Sequence, residues 1–331
     1  MVLFSYTFFM KKRYPFLHFL LFSLLIALLI HSCNFRKKEE KPYIKPTDLE
    51  SLRLGAMSSM DYIPFVVAKK RGIYDSLGLN VEIIKFFSAN DRDAAFQSGN
   101  IDGTVIDYTG AILQQANGIP LKLVMKNDGF FYFIAGKESN VNSLTDLRGT
   151  NIAVSRNTVI DYSTDQFLYA ADINEKEVNK PEINKIPLRL EMLQNNKIEA
   201  TVLPDPFASI ALNNGHHSLI TTKELGISIT GTLFSEKAIT EKAREIEVLM
   251  RGYNEAVEYI KKRPLDEWSD ILVEDAGVPK PLIGAIRLPE YEKAALPQKK
   301  DILQVTEWLK KKKLIPETYS EEQLIDSSFA K

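Results

Sequence analysis

From residue 52 onward, short apolar runs alternate with amphipathic ones. Residues 52–56 read as a strand, then comes the polar turn Met57-Ser58-Ser59-Met60-Asp61-Tyr62 and a helix over 63–71 that Gly72 stops. A strand over 80–86 leads to Ser88-Ala89-Asn90-Asp91, a cap for the next helix. Strands are predicted at 101–106, 121–125, 131–135, 151–154, 198–203 and 227–234, with helices over 159–171, 236–262 and 301–313. The lysine-rich stretch 172–185 reads as a surface connection, and Lys310 to Lys313 as a solvated helix end where positive charge suits the dipole. Strand and helix alternating through short connections is the grammar of mostly parallel sheets covered by helices.

One stretch occurs twice. Residues 92–118 and 189–215, laid over each other without a gap at an offset of 97, agree at eight of 27 positions, including Arg92/Arg189, Thr104/Thr201 and Gly118/Gly215. Asp102 also faces Glu199. Each copy is a helical run, a polar corner, an apolar strand, a turn bearing Asp or Pro, and a second helix. Two such units far apart in one chain predict two similar α/β lobes.

The first 32 residues read as an export signal: Lys11-Lys12-Arg13, the apolar run 16–30, then Ser32 and Cys33. The run is shorter than the ~20 residues of a spanning helix. Cys33 is the sole cysteine and sits as in a bacterial lipobox, so it is the expected lipidation site. No internal disulfide or thiolate metal cage is possible. Residues 33–49 are charged, proline-bearing and aperiodic, hence a tether. Removing the signal takes three basic residues and no acid, moving the net charge from −1 to −4 and giving no sign of a nucleic-acid partner. There is no Gly-rich phosphate loop, zinc spacing or nucleophile elbow, so no cofactor, metal or catalytic residue is expected. His216-His217 reads as surface loop.

The residues Phe65-Val66-Val67-Ala68-Lys69-Lys70-Arg71-Gly72-Ile73-Tyr74, then Leu77-Gly78-Leu79-Asn80-Val81-Glu82, resemble the opening of nitrate/sulfonate/taurine-type substrate-binding proteins of ABC importers. That family includes binders of the thiamine pyrimidine precursor. Gln97-Ser98-Gly99-Asn100-Ile101-Asp102-Gly103 is similar to its second signature, and 144–153 to the segment that opens its second domain. The resemblance spans roughly 50–325. It implies the α/β, two-lobed periplasmic-binding-protein-like type II fold, with two mostly parallel sheets flanked by helices. The first lobe would hold 50–138 and 227–331, the second 139–226, with the chain crossing near 136–143 and 222–229. It also implies a monomer with ABC permease and ATPase partners, lipid-anchored on the extracytoplasmic face of a membrane.

Ligands of such folds sit in a cleft beyond the carboxyl ends of strands, against helix N-termini. The first lobe then offers Ser58, Ser59, Asp61, Tyr62, Ser88, Asn90, Asp107, Tyr108, Thr109, Asn127 and Asp128. The second offers Ser155, Arg156, Asn157, Thr158, Asp205 and Phe207. Asp107 serves either as a ligand acceptor or as a helix cap beside a core aromatic; Asp205 poses the same choice. Arg156 either clamps an anion or lies on the surface. Arg92 and Arg189 are assigned to ion pairing, one turn from the ligand. The aromatics Tyr62, Phe86, Phe87, Tyr108, Phe130, Phe131, Tyr132, Tyr162 and Phe207 favour a flat heterocycle, such as a thiamine pyrimidine precursor, over nitrate or a short sulfonate.

The function expected is capture of a small solute by hinge closure and delivery to a permease. Two alternatives remain: an enzyme of pyrimidine or menaquinone biosynthesis on the same fold, and a sensory ligand-binding module. The fungal pyrimidine enzymes need a cysteine-rich segment that this chain lacks, and the menaquinone enzymes would not carry the export signal.

Overall fold

Leu52–Met57 forms β1, whose residues are mostly buried because strands flank it on both sides. The computed structural model describes residues 43–330. The signal, Cys33 and most of the tether lie outside the described residues. The compact unit from Lys45 onward holds both sheets. Its first residues are fastened: Asp48 pairs with Arg244 at 2.9 Å, and the Glu50 amide donates to Glu245.

The elements run β1, α1 (Ile63–Lys70), α2 (Ile73–Leu77), β2 (Val81–Phe86), α3 (Ala89–Gln97), β3 (Gly103–Asp107), α4 (Tyr108–Ala116), β4 (Leu121–Lys126) and β5 (Phe131–Ala135). Then come β6 (Ile152–Ala153), α5 (Val159–Ala170), α6 (Ile186–Gln194), β7 (Ala200–Pro204), α7 (Phe207–Asn213), β8 (His217–Thr221) and β9 (Thr230–Ser235). The chain closes with α8 (Glu236–Glu241), α9 (Ala243–Lys262), α10 (Ser269–Glu274) and α11 (Lys299–Lys311). One sheet has the order β2-β1-β3-β9-β4, the other β6-β7-β5-β8. Each sheet and the helices packed on it make one lobe. On the first lobe, α1 buries Phe65, Val66 and Val67, with Phe65 4.8 Å from the ring of Tyr253 on α9. Each such side chain stabilises the packing by roughly 2 kcal/mol.

The duplicated stretch is a structural repeat. The bounds of α3 and β3 reappear 97 residues later in α6 and β7. Its shared residues do equivalent work. The Asp102 carboxylate accepts from the Arg53 amide and that of Glu199 from the Asn151 amide, both at 2.7 Å. Thr104 donates to the Gly55 carbonyl and Thr201 to that of Ala153.

Three expectations change. β5 pairs with β7 and β8 in the second sheet, so the first crossing lies at 127–130, before the expected 136–143. The return runs from β8 to β9 through 222–229. His216 is buried, accepting the Lys137 amide on Nδ1, and His217 opens β8, so this pair is not surface loop. The 172–185 connection is also partly interior. Lys180, with its side chain 9% exposed, pairs with Asp161 at 2.8 Å and with Asp165.

The two crossings are laced together. The Asn127 amide donates to the Thr230 carbonyl at 2.8 Å, and Phe131 and Thr222 exchange bonds through the Phe131 amide and carbonyl. From the first lobe, α11 packs on α4 and reaches α5, where Trp308 Nε1 donates to Asp165 at 2.9 Å. Among the described residues no helix is long and apolar enough to cross a membrane, and no group of His, Cys, Asp or Glu could hold a metal ion.

Candidate ligand-binding site

The carboxyl ends of β1, β3 and β7 and the N-termini of α3, α5 and α6 converge on one pocket between the lobes. From the first lobe come Met57, Ser59, Asp61, Ala89, Arg92, Asp107 and Thr230; from the second, Phe131, Ser155, Thr158, Ile160, Asn184, Ile186, Arg189 and Pro204. It encloses about 510 Å³ of atom-free space, mouth included, but the centres of water molecules reach only about 40 Å³ of it. At ~10–15 Å³ per water, that narrow part suits a handful of heavy atoms.

Both arginines are 1% exposed, yet their surroundings differ. Arg92 pairs with Asp107 at 3.2 Å and with Asp93 at 2.8 Å. Burial opposes its charge, but the two carboxylates outweigh burial and its pKa is raised. The residues that align with Asp107 and Asp93 in the second copy are Pro204 and Leu190. Arg189 therefore lacks a carboxylate partner among the described residues. Its Nη1 donates to the carbonyls of Ile183 at 2.9 Å and Asn184 at 3.3 Å, and Nε has no partner. Burial alone pushes its pKa down to about 10. Ion pairing is thus the role of Arg92 and not of Arg189. A buried planar donor thus stands beside helix N-termini, on the wall of the pocket.

Asp61, on the opposite lobe, is 5% exposed and accepts from Ser59. Burial pushes its pKa up to about 6, against the hydrogen bonds of Ser59 and Thr230. Gly129 on the first crossing lies so close that a Cβ there would sit 2.8 Å from that of Asp61.

Of the residues anticipated from sequence, Ser59, Asp61, Asp107, Ser155 and Thr158 line the pocket. Asp107 also caps α4, its Oδ1 accepting the Gly110 amide at 2.9 Å, so cap and pocket wall coincide. Thr158 caps α5, accepting from Ile160, and Ser155 donates to Asn184. The others serve elsewhere. Ser58 is buried, with its amide bonded to the Phe86 carbonyl; Tyr62 donates to the Asp275 carbonyl; Ser88 caps α3; Asn90 is exposed. Tyr108 is fully buried and Thr109 donates to Asp107. Asn127 is a hub of the crossings, donating to the Asp61 carbonyl and accepting from Thr232, and Asp128 pairs with Lys126. Arg156 is exposed and pairs with Glu182 at 3.3 Å; Asn157, at φ 61°, donates to Asp161. Asp205 is buried, accepting the Ser209 amide, and Phe207 packs on the second-lobe core. Of the nine aromatics expected at the cleft, Phe131 alone is a lining residue. Tyr162, for instance, packs edge-on against Trp308.

The fold has solved counterparts. The periplasmic aliphatic sulphonate binding protein SsuA from Escherichia coli superposes with a TM-score of 0.69 at 18% identity, over 84% of this chain and 98% of that one. The ligand-binding component of an ABC-type import system from Staphylococcus aureus, solved with zinc bound, gives 0.72 at 14% identity, over 85% and 98%. The periplasmic nitrate-binding protein NrtA from Synechocystis PCC 6803 gives 0.69 at 14%, over 82% and 83%. No curated protein sequence matches the chain. The sequence family described as NMT1/THI5 like matches residues 59–267, and the chain belongs to that family.

Proposed function

We propose that the protein is the solute-binding component of an ABC importer and captures a small anion of the sulfonate or nitrate type. The observation that carries this is Arg189: a buried guanidinium, without a carboxylate partner among the described residues, on the wall of a pocket between two lobes. The fold relatives that bind a sulphonate and nitrate support it. A flat heterocycle is the weaker reading, because the aromatics that favoured it pack elsewhere and the pocket is narrow.

The mechanism is hinge closure about the crossings at 127–130 and 222–229. An anion held by Arg189 and α5 on one lobe, and met by the Asp61 side of the pocket on the other, stabilises the closed arrangement over the open one. No bond is made or broken. Delivery to a permease with its ATPase, and lipid attachment at Cys33 to the extracytoplasmic face of a membrane, complete the proposal.

A thermal-shift comparison tests it, using the full chain in nonionic detergent. Ethanesulfonate or nitrate should raise the melting temperature, since a ligand of the native state alone adds stability. A shift with an aminopyrimidine and none with either anion would overturn the reading.

A further inference from the structure

Resting on that anion reading, we infer that Asp61 takes up a proton when the cleft receives an anion, so that capture is coupled to pH. Asp61 and Arg189 stand on opposite lobes of one pocket, both buried, and neither has an ion-pair partner among the described residues. The remaining positive charge on the wall is already spent: Arg92 faces both Asp93 and Asp107. An anion entering beside an ionised Asp61 would add one more negative charge to a wall whose two guanidiniums, Arg92 and Arg189, are already matched in number by Asp107 and Asp61. Protonating Asp61 removes that repulsion and turns one carboxylate oxygen into a donor. The proton comes from solvent, and the anion stays ionised.

Three tyrosines lie close to Asp61. Tyr62 is its neighbour in sequence, Tyr253 projects from α9, and Tyr291 donates to the Met60 carbonyl. Burial raises the pKa of all three, so they keep their protons. Asp128, next to Gly129 on the crossing, is paired with Lys126, and Asp107 with Arg92. Asp61 itself sits at about 6, raised first by burial.

Calorimetric titration of the full chain in detergent tests this, with ethanesulfonate and nitrate in cationic buffers from pH 5 to 8.5. Both probes stay ionised throughout, so any pH dependence belongs to the protein. The affinity should fall about tenfold per pH unit above the Asp61 pKa. Buffers of different ionisation heat should report uptake approaching one proton per anion at the alkaline end. Asp61→Asn should flatten the profile and bind well at pH 8. Ser59→Ala, which removes a hydrogen bond favouring the ionised carboxylate, should move the midpoint upward; with the buffer series it decides the matter if Asp61→Asn fails to fold. A flat wild-type profile without proton uptake would overturn the coupling while leaving the anion reading intact. So would an amino-sulfonate whose affinity rises with pH, since it would mean that ionised Asp61 holds a ligand ammonium. Absence of anion binding at every pH would remove both.

Discussion

Replacing Arg189 by Met separates a binding guanidinium from a structural one. The guanidinium is fully buried, and burial lowers its pKa from the ordinary arginine value to about 10, a bias of about 3 kcal/mol against the charged form. The folded state holds this proton less tightly than the unfolded chain does. The penalty is therefore present at neutral pH and fades only as pH rises through the alkaline range between those values. Met removes it but forfeits the bonds to the Ile183 and Asn184 carbonyls, at about 1 kcal/mol each. The two effects nearly cancel. Urea denaturation of ligand-free Arg189→Met should give a stability within about 2 kcal/mol of wild type. The ligand response should not survive: wild type gains about 2.7 kcal/mol at an anion concentration a hundredfold above Kd, and the variant should gain almost nothing. Two results would refute the reasoning: an undiminished anion response in Arg189→Met, or a ligand-free loss well beyond that range, which would mean the guanidinium already has a strong partner.

Other substitutions probe the frame around the pocket. Asp107→Ala leaves Arg92 buried with one carboxylate fewer and strips the cap of α4, so chemical denaturation should show a loss of about 3 kcal/mol or more, whereas Asp107→Asn, which keeps an acceptor, should lose less. Lys180→Met takes away the ion-pair partner of Asp161, while Asp165 keeps Lys312 and Trp308, and should cost about 3 kcal/mol by the same assay. For Asp61 the folded pKa, about 6, lies above the ordinary 3.8, so its stabilising effect is full below the lower value and lost as pH rises through the upper. Wild type should therefore fall relative to Asp61→Asn by about 3 kcal/mol between pH 3.5 and 7.5, measured as paired urea midpoints.

Much of this was legible from sequence, and the gaps have physical causes. The repeat located α3 with β3 and α6 with β7, because Thr104/Thr201 and Asp102/Glu199 recur for the same backbone bonds. The same alignment carried the signal for Arg189: Asp107 and Asp93 give way to Pro204 and Leu190, so one of two matched arginines loses both its acids. Treating the pair alike hid it. The first crossing was misplaced because β5 is a uniformly apolar run, buried throughout, and local pattern does not say which sheet completes its ladder. The aromatic cluster misled for a related reason. Strand and helix periodicity brings rings to the cleft end of the lobes, but Tyr62, Tyr108 and Tyr162 turn inward, where burying a large ring stabilises most. Asn127 reads as a polar loop residue, but its side chain is consumed in tying the crossings to Asp61 and Thr232.

The most direct test is a crystal structure of the protein grown with ethanesulfonate. The account predicts the sulfonate between the lobes, with oxygens about 2.7–2.9 Å from the Arg189 guanidinium, as in a charge-assisted bidentate pair, and with a contact to the Asp61 side of the pocket. A sulfonate bound elsewhere, with Arg189 still bonded only to the Ile183 and Asn184 carbonyls, would contradict it.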